Sequence, residues 1–175
     1  MSIYNNKHVV FEQVGVDSDT VVRNQSTNTD GDGCYNNWDI SNIRNSVLPT
    51  KALALSSELY ATLTNTTIQT AKNGNATTLV STSDKTFILA EKEMTASPTK
   101  AVSQESSALT TLAWYVSHTQ DSYKVKTDTS NVAQQYRLRS PRSGKTNWVV
   151  IVRSDGIIDL YDAKNSNRIS QCFAY

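Results

Sequence analysis

Asn147-Trp-Val-Val-Ile-Val-Arg153 and Ile157-Ile-Asp-Leu-Tyr161 are two β-prone runs separated by Ser154-Asp155-Gly156. An Asp-Gly turn between two such runs is a strong signal for a β-hairpin, because glycine tolerates the positive φ angle that a tight turn requires. Trp148 alternates with Val150 and Val152, which predicts that these three side chains share one buried face. Residues 168–174 predict a last strand after this hairpin.

Two amphipathic segments upstream of the hairpin predict short helices. Asp39 is a good N-cap for the first helix, and Pro49 is expected to end it. The second helix is predicted at residues 52–63. The apolar residues expected on the buried helix faces are Ile40, Ile43, Val47 and Leu48 in the first helix and Leu55, Leu59 and Leu63 in the second.

The remaining pattern contains further short strands and turns. Residues 7–16 predict a first strand, and Asn73-Gly74 between two β-prone runs predicts a second tight hairpin. Residues 86–89 are continuously apolar, which indicates a strand buried on both sides. Residues 91–94 predict one helical turn, residues 17–37 an irregular loop, and residues 97–118 have helical spacing.

Helices early in the chain and antiparallel strands late in it predict an α+β fold. In this fold two early helices pack on a mainly antiparallel sheet. Because no internal repeat or linker is visible, we expect a single domain over residues 1–175.

The composition is polar without being strongly charged. The chain has 175 residues, 38% of them hydrophobic, and a formal net charge of +1. This charge gives no electrostatic footprint for nucleic acid. No run is apolar and long enough to cross a bilayer, and the N-terminus lacks the apolar core of a signal peptide. We therefore expect no nucleic-acid binding, no membrane insertion, and a place either in the cytoplasm or outside the cell within an assembly such as a virion.

The residue pattern favours neither a metal site nor catalysis. Asp30-Gly31-Asp32-Gly33-Cys34-Tyr35 resembles a calcium loop, but the fifth and sixth positions carry Cys34 and Tyr35 instead of an oxygen ligand and glycine. No Gly-x-Ser-x-Gly elbow or phosphate-binding glycine loop is present. Glu91 and Glu93 are expected on different faces of a helix, in solvent. The prediction is a chain that is not an enzyme and holds no cofactor.

The two cysteines, Cys34 and Cys172, lie near opposite ends of the sequence. A disulfide between them would close a very long loop, whereas two buried thiols would behave as small hydrophobic side chains. The second alternative is favoured.

Binding chemistry is better represented, around the last hairpin. Aromatic, amide and guanidinium groups on loops stack on, and hydrogen-bond to, sugars and protein surfaces. Each residue taken alone also fits an ordinary solvated turn. The candidate binding residues are Arg142, Lys145, Asn147, Tyr161, Asn165, Asn167 and Arg168.

Several motifs follow one another in an order that resembles a family of domains common in gut bacteria and their phages, akin to the variable proteins of diversity-generating retroelements. The resemblance covers about residues 30 to 175. Its motifs are Asn36-Asn37-Trp38-x-x-Ser41-x-x-Arg44, the run Thr-Ser-Asp-Lys-Thr-Phe-Ile-Leu-Ala-Glu-Lys-Glu at residues 82–93, and Tyr136-Arg137-Leu138-Arg139-Ser140-Pro141.

The resemblance implies a C-type lectin-like fold. It makes Trp38, Arg44 and Arg139 scaffold residues, with Arg139 a buried structural cation, and the alternation at Trp148 adds that residue to the structural group. The chain departs from the family at the closing strand, where Val-Arg-Pro is replaced by Ser170-Gln171-Cys172. The Glu-Pro-Asn and Trp-Asn-Asp motifs of calcium-dependent lectins are absent, as is the cysteine pattern of formylglycine-generating enzymes.

The function expected from this resemblance is that of a non-enzymatic protein on the surface of a phage virion, such as a fibre tip, a receptor-binding module or a capsid decoration. Its partners would be a host-surface glycan or protein, or neighbouring virion subunits, and it would form a homo-oligomer. The alternative is a bacterial secreted or cell-surface carbohydrate-binding module.

Overall fold

The computed structural model describes residues 2–4, 8–25 and 27–174, and within these ranges it shows short strands and short helices. The strands are β1 Ser2–Tyr4, β2 His8–Glu12, β3 Val21–Val22, β4 Thr66–Ala71, β5 Leu79–Asp84, β6 Thr86–Phe87, β7 Lys126–Thr127, β8 Ala133–Gln134, β9 Tyr136–Pro141, β10 Trp148–Val152, β11 Ile158–Asp162, β12 Ser166–Ile169 and β13 Cys172–Ala174. The helices are a π-helical turn Ile43–Val47, α1 Leu48–Leu53, α2 Ser57–Thr62, α3 Glu91–Met94, α4 Ser103–Ala108, α5 Ala113–Ser117 and a 3-10 turn Asp121–Lys124. The expected α+β class is confirmed.

The larger sheet is built on the predicted hairpin. Its five strands run in the order β11-β10-β9-β12-β3, and all neighbours are antiparallel except β9 and β12. The turn between β10 and β11 contains Gly156, whose φ of 86° is the positive angle that the sequence required. Val150 and Val152 are buried as predicted, but Trp148 is only half-buried. Residues 149 and 151 are buried as well, so β10 is covered on both faces.

The predicted last strand is in fact two strands that connect two sheets. β12 joins the larger sheet beside β9, whereas β13 joins a smaller sheet of order β1-β2-β13-β6. The chain changes sheets at Ser170 and Gln171, where the backbone N–H of Gln13 donates to Gln171 O at 2.8 Å. This connection places β13 at the centre of the smaller sheet, between β2 and β6.

The helices differ from the sequence-based expectation. Pro49 does not end a helix but lies in the first turn of α1, where a missing N–H breaks no intrahelical hydrogen bond. Asp39 therefore caps no helix, and the π-helical turn begins only after Asn42. The predicted second helix is interrupted, because Ser56 accepts a hydrogen bond from Leu59 N–H and starts α2 anew. Of the three leucines expected to be buried, only Leu63 is buried.

The two core clusters lie on either side of the larger sheet's central strands. One cluster includes Leu138 and Val150. The other surrounds the fully buried Trp38 and contains Leu48, the first residue of α1. The scaffold role expected for Trp38 agrees with this position.

Glu91 and Glu93 are buried, so their expected exposure to solvent is wrong. Glu93 forms a two-pronged ion pair with Arg139, at 2.6 and 2.7 Å, and both side chains are fully buried. The carboxylate of Glu91 accepts the backbone N–H groups of residues 99–101. Helix α3 is a single turn, and the chain wraps around it closely enough to cover both carboxylates.

The hairpin of β4 and β5 is confirmed, with Thr66 opposite Asp84. Its connection is longer than the predicted tight turn, because β5 begins only at Leu79. Gly74 does not use a positive φ; the described glycines that do are Gly33, Gly144 and Gly156. Glycine is required at position 74 because a β-carbon there would collide with backbone carbonyls of the loop at 142–145.

Candidate binding surfaces

The binding residues predicted around the last hairpin do not form one surface. Arg142 stacks over Trp148, with its guanidinium carbon 5.5 Å from the ring centroid. Asn147 donates to a carboxylate oxygen of Asp162 at 2.9 Å, and Lys145 is exposed. These residues lie at one end of β10 and β11, where they form a small polar surface around a half-buried tryptophan.

The other predicted residues have different roles. Tyr161 lies beside the buried Arg137, and Asn165 is exposed, with its carbonyl accepting from that guanidinium. Asn167 is only 2% exposed, so its predicted contact with a ligand is not supported. Arg168 pairs with Asp128 at 3.5 Å and donates to two backbone carbonyls. Its side chain holds the loop at residues 17–18 against β12 and does not extend into solvent.

The predicted structural residues are placed in or beside the core. Trp38 and Arg139 are fully buried, and Trp148 is half-buried at the start of β10. Arg44 forms an ion pair with Asp84 at 3.0 Å, which ties the π-helical turn to the end of β5.

Both cysteines are buried free thiols, as the favoured alternative predicted. Burial raises the pKa of Cys34 and raises that of Cys172 well above its ordinary value. Within the described ranges no group of three or more His, Cys, Asp or Glu side chains could hold a metal ion.

Asp30, in the segment that resembled a calcium loop, is held by protein groups alone. One of its carboxylate oxygens accepts the N–H groups of Asp32 and Cys34, and the other accepts amide hydrogens of Asn37 and Asn73. Burial opposes ionisation of Asp30, but the hydrogen bonds, the strongest from Asn73, outweigh it and lower the pKa. The carboxylate organises its own loop.

A groove of about 420 Å³ lies elsewhere, between β2, α5 and the 3-10 turn. Its polar floor is a connected set of side chains. The hydroxyl of Tyr115 donates to Glu12 at 2.8 Å, and the Lys126 ammonium lies 3.2 Å from the other Glu12 oxygen. Lys126 also donates to the carbonyl of Gln13 at 2.5 Å. These bonds fix the positions of a carboxylate, an ammonium and a phenol below the groove's opening.

The rim of the groove is aromatic and unusually exposed. Trp114 and Tyr123 line it and are 46% and 49% exposed. The imidazole of His118 stacks on Trp114 with 3.7 Å between centroids, and the ring of Tyr123 meets that stack edge-on. One face of the indole is therefore held by His118, which orients the tryptophan without burying it.

Apolar surface continues beyond the groove. Phe11 stacks on Phe173 at 5.7 Å and separates the first groove from a second one of about 380 Å³. Val14, at the border of both grooves, is almost completely exposed. Contiguous exposed apolar surface of this kind marks an interaction site more often than isolated exposed residues do.

Sequence reasoning missed this groove. Its rim comes from residues 114–123, of which the sequence analysis covers only the part up to residue 118, by helical spacing. Its floor joins positions more than a hundred residues apart. Nor does the sequence single out Trp114 as exposed, because tryptophan is highly buried on average. Exposure of an aromatic side chain depends on what packs over it, and a single sequence does not contain that information.

A serine and a histidine lie next to each other beside the rim of the groove. Ser117 Oγ lies 3.0 Å from His118 Nδ1, but that nitrogen is also 2.9 Å from the carbonyl of Trp114. Both contacts lie at the end of α5 and hold the imidazole against Trp114.

Comparisons with known proteins identify a family. The family described as a domain of unknown function, DUF6273, matches residues 13–171, which is nearly the whole chain. No curated protein and no solved structure matches it. The longest helices in the described part of the chain have six residues, well below the length of a membrane span.

Proposed function

The chain belongs to the DUF6273 family, and we propose that it is a non-enzymatic adhesion module on a C-type lectin-like scaffold. In this proposal the module lies on the surface of a phage virion and attaches it to a glycan of the host surface. The observation that carries the proposal is the groove with the half-exposed Trp114 and Tyr123 above the fixed Glu12, Lys126 and Tyr115.

The chemistry of the groove suits a sugar. Aromatic rings provide flat apolar faces against which the C–H face of a pyranose can stack, while a neighbouring carboxylate and ammonium can hydrogen-bond to its hydroxyl groups. Because Glu12 and Lys126 neutralise each other, the groove favours a neutral, hydroxyl-rich ligand over a strongly charged one. The small net charge of the chain agrees with this preference.

The scaffold supports the same proposal. The strands β12 and β13 follow each other in the chain and belong to the larger and the smaller sheet, so they link the two sheets into one framework. The fully buried ion pair between Arg139 and Glu93 joins β9 to α3 inside this framework. A rigid framework lowers the entropy lost when a surface binds its ligand.

A glycan array probed with the fluorescently labelled chain tests the proposal. Trp114→Ala should weaken binding at least about 30-fold, the effect of losing a central aromatic contact worth about 2 kcal/mol. The matched control is Leu53→Ala, which removes a side chain that is 70% exposed and lies outside the groove. Its binding should equal that of the wild type.

Tyr161→Ala tests the surface predicted around the last hairpin. If this change removes binding and Trp114→Ala does not, the hairpin loops are the binding site and the groove is not. A chain that binds neither the array nor host cells contradicts the adhesion proposal itself.

The virion setting is tested separately, with antibodies raised against the chain. Gold labelling of purified phage particles is expected. Labelling of bacterial surfaces in the absence of phage would instead support the alternative, a bacterial carbohydrate-binding module, which the same groove would serve.

A further inference from the structure

Two arginines are buried without a carboxylate partner. Arg23 and Arg137 are fully buried. Arg23 donates to the carbonyl oxygens of Leu138, at 3.2 Å, and of Asn36, at 2.7 Å. Arg137 donates to those of Asp162 and Asn165. Neither guanidinium takes part in the ion pairs found among residues 2–4, 8–25 and 27–174.

Several N–H groups in the same region have no acceptor. Within the described chain, Arg23 Nε, Arg137 Nε, Arg137 Nη1, Trp38 Nε1 and Asn167 Nδ2 are buried and lack a hydrogen-bond partner. A buried donor without an acceptor costs about 1–3 kcal/mol, and more when it is charged. Five unsatisfied donors in one region indicate that an acceptor belongs among them.

These donors lie close together. Arg23 hydrogen-bonds the carbonyl of Leu138, the residue next to Arg137, and its guanidinium carbon lies 5.6 Å from the Trp38 ring centroid. Asn167 is brought to the same place by strand pairing, because it lies opposite Val21, two residues before Arg23. The cluster is therefore one site built from β3, β9, β12 and the loop before the π-helical turn.

Only carboxylates beyond ion-pair distance offset the charge of the cluster: Glu105 favours the charged form of Arg23, and Asp162 favours that of Arg137. Burial, followed by repulsion from Arg137, lowers the pKa of Arg23 to about 9, and burial lowers that of Arg137 to about 10. Both groups are therefore still cationic at neutral pH. The contrast with Arg139 is direct, since that side chain has the carboxylate of Glu93 within hydrogen-bond distance on two sides.

We propose that Arg23 and Arg137 together hold a small monovalent anion of chloride size, bound inside the fold and coordinated by the N–H groups that otherwise lack an acceptor. Water can accept these hydrogen bonds but cannot offset the buried charge. A small ion is required because the surrounding residues are buried. The inference is independent of the proposed adhesion function, since none of these residues lines the groove.

Chloride-dependent unfolding tests the site. The wild-type chain is unfolded with urea while chloride replaces gluconate, an anion too large to enter, at constant ionic strength. An ion that binds only the folded chain stabilises it by mass action, so the urea midpoint should rise by about 0.5 M or more and then saturate. Arg137→Met should abolish the rise, whereas the control Arg44→Met, which loses an ion pair near the surface, should keep it.

Two results would overturn the proposal: a midpoint that does not depend on chloride, which means that water fills the site, or a dependence that survives in Arg137→Met. If Arg137→Met does not fold, crystals of the wild-type chain grown in sodium bromide decide the question. An anomalous bromide peak between Arg23 and Arg137 is expected, and its absence rejects the site.

Discussion

Replacing Arg139 with methionine should destabilise the protein strongly, because it separates a buried ion pair. The guanidinium donates to both oxygens of Glu93, at 2.6 and 2.7 Å, and to the carbonyl of Ile88 at 2.8 Å. In Arg139→Met the Glu93 carboxylate stays buried, loses the guanidinium and keeps the hydrogen bond from the Ala90 N–H at 2.8 Å. Breaking a buried pair from one side costs about 3–5 kcal/mol.

The double variant Arg139→Met/Glu93→Leu should recover part of this loss. It contains no buried charge at either position, and what remains is the Ala90 N–H without its acceptor, a cost of about 1–3 kcal/mol. The free energy of unfolding of the double variant should therefore lie above that of Arg139→Met by about 1–3 kcal/mol. A domain of this size is typically stable by about 5–15 kcal/mol, so Arg139→Met is expected to fold and to be measurable.

The assay is urea unfolding at pH 7, followed by tryptophan fluorescence, which reports the buried Trp38. Arg44→Met is the matched control: its ion pair with Asp84 is partly exposed and should contribute at most about 1 kcal/mol. A loss below about 1 kcal/mol in Arg139→Met, or a double variant that is less stable than Arg139→Met, would refute the argument. Unequal slopes of free energy against urea would show that the unfolded state had changed instead.

Four further predictions concern other properties of the chain. Asp30→Asn should lower the free energy of unfolding at neutral pH and make it depend less on pH in acid. The folded-state pKa of Asp30 lies below its ordinary value, so the carboxylate stabilises the fold fully above about pH 4 and less as the pH falls further. Equal acid unfolding curves for the wild type and the variant would contradict this. Gly74→Ala should cost about 1–3 kcal/mol in urea unfolding, since the added carbon meets the carbonyls of the loop at 142–145; a neutral change would show that this loop yields freely. Cys34 and Cys172 should resist Ellman's reagent until the chain unfolds, because both thiols are buried, and fast labelling would contradict this. Light scattering should show a persistent trimer or larger assembly, and a clean monomer would count against that expectation.

The parts of the fold that the sequence predicted are those fixed by local signals. An Asp-Gly turn between two apolar runs fixed the β10–β11 hairpin, and a continuous apolar run placed residues 86–89 in the core. Both signals depend on neighbouring residues alone. The C-type lectin-like architecture depends on contacts between distant segments and stays a proposal.

The errors occur where a local preference was overruled by distant contacts. Pro49 can end a helix or lie in its first turn, and here the π-helical turn leads the chain into α1 so that Pro49 takes the second role. A single last strand is predicted because no glycine, proline, asparagine or aspartate interrupts residues 168–174, but residues 170–171 carry the chain from one sheet to the other. The expected exposure of Glu93 is wrong because its partner, Arg139, is remote in sequence. That of Glu91 is wrong because the loop at residues 99–101 turns its amides back toward the carboxylate.

The same limit applies to the candidate site, and the tryptophans show why. Trp38 is fully buried although its neighbours in the sequence are polar, whereas Trp114 is 46% exposed although its neighbours Ala113 and Tyr115 are not. Trp148 begins an apolar run and is only half-buried, under Arg142. Buried carboxylates and guanidiniums occupy interior positions that apolar side chains fill in most domains, while several large aromatic and aliphatic side chains remain outside. Because ion pairs and hydrogen bonds stabilise part of the core, fewer aromatic side chains are needed there, and Trp114 and Tyr123 lie at the surface. Substitutions at the exposed aromatic rim should therefore weaken binding with little effect on stability. Substitutions at the buried charges should lower stability with little effect on binding.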